Sequence, residues 1–166
     1  MPTVTPAAKT GRSFASFDAG ALESWEEHSF LHPRLGKEIK GKLFLKGLLG
    51  LTGMEISLNK LPPRTFVPFS HRHRENEEVY IFVKGRGRFM VDGSVIEVQA
   101  GTVIRVSPDG ARTWRNDSDE DLYYVVVQAR AGTIGEGAVA DGVPLEERPR
   151  WRKAQGADAS DGGSHA

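Results

Sequence analysis

The amino-acid sequence predicts an all-β domain, a small antiparallel barrel or sandwich, on three observations. From about Ile39 onward the chain runs in short segments rich in Val, Ile, Phe, Tyr and Leu. Gly, Pro, Asp and Asn interrupt those segments at close intervals. One interruption, Asp92-Gly93, has the composition of a two-residue hairpin turn, in which glycine supplies the positive φ that such turns require.

Taken in order, residues 1–38 form an N-terminal arm, 39–130 the β domain, 131–155 a C-terminal extension and 156–166 a mobile tail of Gly, Ser, Asp and Ala with almost nothing to bury. Within the arm, Ala21 to Phe30 suits a short helix or turn with Leu22, Trp25 and Phe30 as its apolar contacts. The expected strands are Lys40 to Leu45, Met54 to Leu61, Glu78 to Val83, Gly87 to Val91, Ser94 to Val98, Val103 to Val106, Arg112 to Arg115 and Leu122 to Gln128. Pro62-Pro63, Pro68 and Pro108 cannot donate to a ladder and therefore mark loops and strand entrances.

The 166 residues suffice for one domain with a hydrophobic core and not comfortably for two. Lys and Arg number 22 and so do Asp and Glu, with no basic cluster of the kind that grips phosphates, which argues against a nucleic-acid partner. There is no cysteine, so any metal must be held by nitrogen and oxygen ligands. No apolar run reaches signal-peptide or bilayer-spanning length, so the expectation is a soluble, cytoplasmic protein with no membrane partner.

The most informative segment runs from Pro68 to Gly85. Alternate side chains of an extended backbone share a face, so His71 and His73 project the same way. A turn over Arg74 to Glu77 and a strand beginning at Glu78 would bring that carboxylate beside them. Two neutral imidazoles and a carboxylate suit iron(II) and also accept zinc, manganese, nickel or copper. A bare His-X-His more often marks two solvent-exposed histidines in a charged loop; here more of the pattern matches.

His-X-His, four residues, Glu, six residues, Gly, filled by His71, His73, Glu78 and Gly85, resembles the first sequence motif of the cupin superfamily. Glu77 fits a shorter spacing, but the six-residue step to glycine selects Glu78. After 15 intervening residues, Gly101 to Asn116 resembles the second cupin motif, closing asparagine included, and the short gap is similar to that of small single-domain bacterial-type cupins. The resemblance covers roughly Leu51 to Ala129. It implies an antiparallel β-barrel of two facing sheets, with one divalent metal near one mouth held by His71, His73 and Glu78.

The second motif of the family carries a metal-binding histidine four residues before its asparagine, and here that position is Arg112. A guanidinium has no lone pair to give and stays protonated, so Arg112 cannot be a ligand. Two unit charges 4 Å apart repel by about 1 kcal/mol in water and about 4 at an effective dielectric of roughly 20, before doubling for a dication. Three outcomes follow: Arg112 swings out, it binds an anionic group of a substrate that also meets the metal, or the site holds no metal. The plainer alternative is a surface salt bridge to an acid among Asp117 to Asp121.

Alternation places Tyr80 and Phe82 on the face of Glu78, and Trp114 on that of Arg112. Tyr80 and Trp114 are the candidate substrate contacts, and Gln128 can also face inward. His28 and His32 are expected at the surface of the arm, and His165 in the tail. The resemblance implies either an enzyme acting on a small, anionic, oxygenated molecule (a metal-dependent isomerase, lyase or dioxygenase) or a non-catalytic binder or sensor, with or without metal. It also implies a homodimer formed through edge strands or the arm.

Overall fold

The computed structural model describes residues 7–33, 35–135, 137–147, 149 and 151; the expected tail, His165 included, lies outside the described residues. The chain divides into two units, with the boundary between Thr133 and Ile134. The described part of the second unit holds one 3-10 turn, Ala138–Asp141, and exposes Ile134, Val143, Leu145 and Trp151.

The first unit is built almost wholly of strands. β1 (Lys9–Thr10) and β2 (Ala15–Ser16) pair with each other, as do β3 (Ser29–His32) and β4 (Lys37–Lys40). β1 to β3 precede the point where sequence texture announced β structure; β3 half-buries only alternate residues and fully buries none. After β5 (Lys42–Phe44) and a single helical turn, α1 (Lys46–Leu49), come β6 (Glu55–Leu61), β7 (Asn76–Lys84), β8 (Arg86–Val91), β9 (Ser94–Gln99), β10 (Val103–Val106), β11 (Arg112–Arg115) and β12 (Leu122–Arg130). Each expected strand is found, with ends that differ by three residues or fewer.

The ladders form an antiparallel five-stranded sheet ordered β10-β7-β12-β6-β5 and a three-stranded one ordered β11-β8-β9. They remain separate: the expected all-β fold is present, but among the described residues no closed barrel is found, so the expected barrel of two facing sheets is matched only in its strand-rich architecture. The segment beside β11 contributes only single bridges, Phe66 to Arg115 and His71 to Arg112. Pro62, Pro63 and Pro68 lie in or beside that segment and cannot donate to a ladder.

One apolar core draws on both sheets. Tyr80 and Phe82 of β7, Ile104 and Val106 of β10, and Leu122, Tyr124 and Val126 of β12 pack with Phe89, Val98 and Trp114 of β8, β9 and β11. Cross-strand partners share a face, and the register Glu78↔Gln128, Tyr80↔Val126, Phe82↔Tyr124 puts Glu78 on the core face, as period-two alternation requires.

The arm meets the opposite face of this sheet at Tyr123 of β12 and beside β5 and β6. The expected helix or turn is a 3-10 turn, Leu22–Glu27, whose Trp25 is buried edge-on against Tyr123 at 6.0 Å between ring centroids, while Phe30 belongs to β3. Lys60 reaches Glu26 at 2.7 Å and Asp121 at 3.1 Å, and Lys84 reaches Glu23 at 2.8 Å. The Lys84–Glu23 pair is exposed and contributes little, whereas the Lys60 side chain is largely buried beneath Glu26 and Asp121, so the arm is held by the buried Trp25 and by Lys60.

Two glycines are required by conformation. In the β8–β9 hairpin Asp92 and Gly93 have φ of 48° and 83°, the two positive values of a type I′ turn. Gly85, between β7 and β8, has φ of 86°, and a Cβ there would be driven into the carbonyl oxygen of Asp121. At Gly93 a Cβ would meet nothing within 4 Å. Gly93→Ala should therefore cost about 1 kcal/mol, from the backbone alone. Gly85→Ala should cost roughly 3 kcal/mol, because strain and overlap add. Urea denaturation of both variants checks the order, and equal losses would contradict the close approach at Gly85.

Candidate functional site

The histidines sit on the proline-punctuated segment beside β11. His71 exchanges both backbone hydrogen bonds with Arg112 (3.1 and 2.9 Å), and the His73 N–H donates to the Pro108 carbonyl at 2.8 Å. Held this way, the two rings lie 5.4 Å apart and nearly perpendicular, at 83°. The chain bends over Arg74 and Glu75 and returns as β7, which carries Glu78 inward. One ligand atom from each of His71, His73 and Glu78 lies within 4.8 Å of the others, so the three residues singled out by spacing do converge.

Arg112 neither swings away nor joins the acids of 117–121. It is wholly buried, donating from Nε (3.1 Å) and Nη2 (2.9 Å) to Glu78 Oε2 and from Nη1 to the Gly110 carbonyl (2.8 Å). The surface salt bridge expected as its plainer role is made by other residues: Arg88 and Arg115 pair with Asp117, and Arg64 with Asp119. The Tyr80 hydroxyl donates to the same Glu78 Oε2 at 2.5 Å. One carboxylate oxygen thus receives three donors. The other, Oε1, lies 3.2 Å from His73 Nε2, and that nitrogen makes no hydrogen bond. His71 Nδ1 is likewise buried without a partner. Buried nitrogens left unpaired in this way are uncommon and call for an explanation, of which a bound ion is one.

Electrostatics sharpen the arrangement. Burial pushes the Glu78 carboxyl up, but the Tyr80 hydroxyl, the charge of His73 and the Arg112 guanidinium outweigh it and hold the group below the usual carboxylate range. His71 is lowered to about 4, first by burial and then by the charge of Arg112. An anionic carboxylate and a neutral imidazole are the protonation states a metal needs. Burial and the adjacent Glu78 push the Tyr80 hydroxyl well up, so it stays a donor.

Trp114 and Tyr80 are both buried core residues. Trp114 stacks on Phe89 (5.6 Å, 8°), donates from Nε1 to the Tyr124 hydroxyl at 2.9 Å and meets the His71 ring at 6.1 Å. Gln128 pairs in register with Glu78. His28 and His32, expected at the surface, are half-buried: the His28 ring packs on Phe17, and the His32 ring lies between Phe30 (5.6 Å) and Phe69 (6.0 Å). Since Phe69 also meets His71 at 6.0 Å, the arm reaches the site through an aromatic rim that alternation within one strand could not disclose. Lys42 on β5 escaped notice too, although its two-residue step from Phe44 was the available signal.

A family model for the cupin domain matches residues 57–128, from β6 through most of β12. A solved cupin protein from Bacteroides fragilis shares 39% identity over 63% of this chain and 88% of its own, with a TM-score of 0.60. A Cupin 2 conserved barrel domain protein from Salinispora arenicola, 20% identical over 63% of this chain and 83% of its own, superposes with a TM-score of 0.53 and supports the fold. No curated protein sequence matches the chain.

Arg112→Met should destabilise the metal-free protein by about 3 kcal/mol, because it strands a buried carboxylate; adding Glu78→Gln should recover part of that loss. Additive losses in urea denaturation would contradict the coupling. A pH effect follows from His71. Its folded value, about 4, lies below the usual 6.5, so the unfolded chain takes up the proton first. Stability should fall as pH drops from about 6.5 towards about 4. His71→Gln should flatten the slope in denaturation measured across that range.

Proposed function

The chain belongs to the cupin superfamily, and on that premise we propose that it holds one divalent metal through His71, His73 and Glu78 and binds or transforms a small oxygenated molecule there. The observation that carries the proposal is the convergence of one ligand atom each from His71, His73 and Glu78 to within 4.8 Å of one another. We read the two sheets as facing halves of a cupin barrel whose core face presents this site.

Each residue has a part that its contacts support. His71 is held neutral by its surroundings, and its ring is set by the Arg112 backbone and the Trp114 indole. Glu78 is fixed through Oε2 by Tyr80 and Arg112, which orients Oε1 towards His73. A bound metal would supply Lewis-acid polarisation of a substrate oxygen. The guanidinium neutralises much of the Glu78 charge, so metal affinity should be lower than for the same ligands without it. With three of its N–H groups committed, Arg112 serves first as a positioning residue for Glu78.

The Arg112–Glu78 pair favours a second reading, a metal-free barrel that binds a small ligand, because the guanidinium already balances the carboxylate. Elemental analysis of purified protein after exposure to iron, manganese, zinc, nickel and copper separates the two. About one equivalent of metal, lost in His71→Ala, is expected; no uptake would establish the metal-free reading. Arg112→His, which restores a nitrogen donor and removes a positive charge, should tighten metal binding about tenfold or more. Unchanged affinity would mean that position 112 does not adjoin the metal.

A further inference from the structure

The core face of the five-stranded sheet is polar along its β5–β6 side. Lys42↔Asn59 and Phe44↔Ser57 are cross-strand pairs, and Asn59 and Ser57 stand opposite Tyr124 and Val126 of β12. Those two residues pair in turn with Phe82 and Tyr80 of β7. Since paired residues share a face, Lys42, Asn59 and Ser57 lie on the face that carries Glu78. Asn59 and Ser57 are buried, and Asn59 Nδ2 donates to the Ser57 and Tyr124 carbonyls at 2.9 and 3.3 Å and meets Ser57 Oγ at 3.0 Å. That leaves its oxygen to accept from Lys42 Nζ at 2.9 Å.

Lys42 is thereby aimed by a fixed amide and by the Phe44 ring, whose centroid lies 4.9 Å from Nζ. It makes no ion pair among the described residues. The two carboxylates whose charges act on it are otherwise engaged: Glu78 binds Arg112, and Glu55 Oε1 accepts the backbone N–H groups of Lys46 and Ile56. Lys42 is half-buried as a residue. Three inter-strand steps of about 4.8 Å separate the β5 and β7 backbones. The charge of Lys42 is nonetheless felt at His71.

We propose that Lys42, presented by Asn59, is the anchor for the anionic group, carboxylate or phosphate, of the small molecule that enters this site. The identity of the ligand's other end rests on the metal reading above; the anchor itself does not. A lone ammonium with two N–H groups to spare suits either oxyanion as a point charge, whereas the Arg112 fork is taken up by Glu78. Burial lowers the Lys42 amine to about 8, so it is still mostly charged at neutral pH and its charge opposes folding there.

Calorimetric titration of the metal-free full chain with malonate and, separately, inorganic phosphate tests the proposal and distinguishes the two chemistries. Lys42→Met should weaken the preferred anion about tenfold or more, while melting at or above the wild-type temperature. Lys42→Gln should show the same loss and serves if the methionine variant does not fold. Wild-type affinity in either folded variant, or failure of both anions to bind wild type below about 10 mM, would overturn the anchor. Metal uptake by Lys42→Met should match wild type. If no form takes up metal yet anion binding still depends on Lys42, the metal reading falls and the anchor stands.

Discussion

A guanidinium with no exposure to water has to be answered by a carboxylate, and in this protein Glu78 is that carboxylate. The contact joins β11 of the three-stranded sheet to β7 of the five-stranded one, so it couples two ladders that share no hydrogen-bonded strand. It also determines which oxygen of Glu78 is free. Tyr80 completes the constraint, and Tyr80 is itself fixed by the core, with its ring 4.6 Å from Phe89 and 5.2 Å from Trp114. Core packing thus sets a hydroxyl, the hydroxyl and Arg112 set a carboxylate, and the carboxylate completes a cluster with two imidazoles.

Much of this was legible in sequence because it depends on short-range pattern. Short runs of Val, Ile, Phe, Tyr and Leu broken by Gly, Pro, Asp and Asn located the strands from β5 to β12, Asp92-Gly93 located the hairpin, and the spacing of His71, His73 and Glu78 located the cluster. The partner of Arg112 was not legible. Whether that side chain meets Asp117 nearby in the chain or Glu78 across the core depends on how two sheets pack, which no local pattern encodes. The arm escaped for a related reason. Its strands are two to four residues long, and Trp25 acquires its role only against Tyr123.

The interior is consequently divided by charge. Along β7 and β10 it is aromatic and aliphatic, with the Arg112–Glu78 contact sealed among these groups; along β5 and β6 it carries Ser57, Asn59 and Lys42. A polar row inside a small domain costs stability unless every member is hydrogen-bonded. Here Asn59 binds Ser57, Tyr124 and Lys42 at once, which satisfies the amide and still leaves ammonium donors unused.

Glu78 gives Oε2 to Arg112 and turns Oε1 towards His73, and the proposed metal would take that second oxygen together with the two imidazoles. X-ray absorption at the metal edge of manganese- or zinc-loaded protein tests it most directly. Two imidazole nitrogens and further oxygen donors should surround the metal, with one imidazole lost in His73→Ala. A shell of oxygen alone, unchanged by that substitution, would place the metal elsewhere and contradict it.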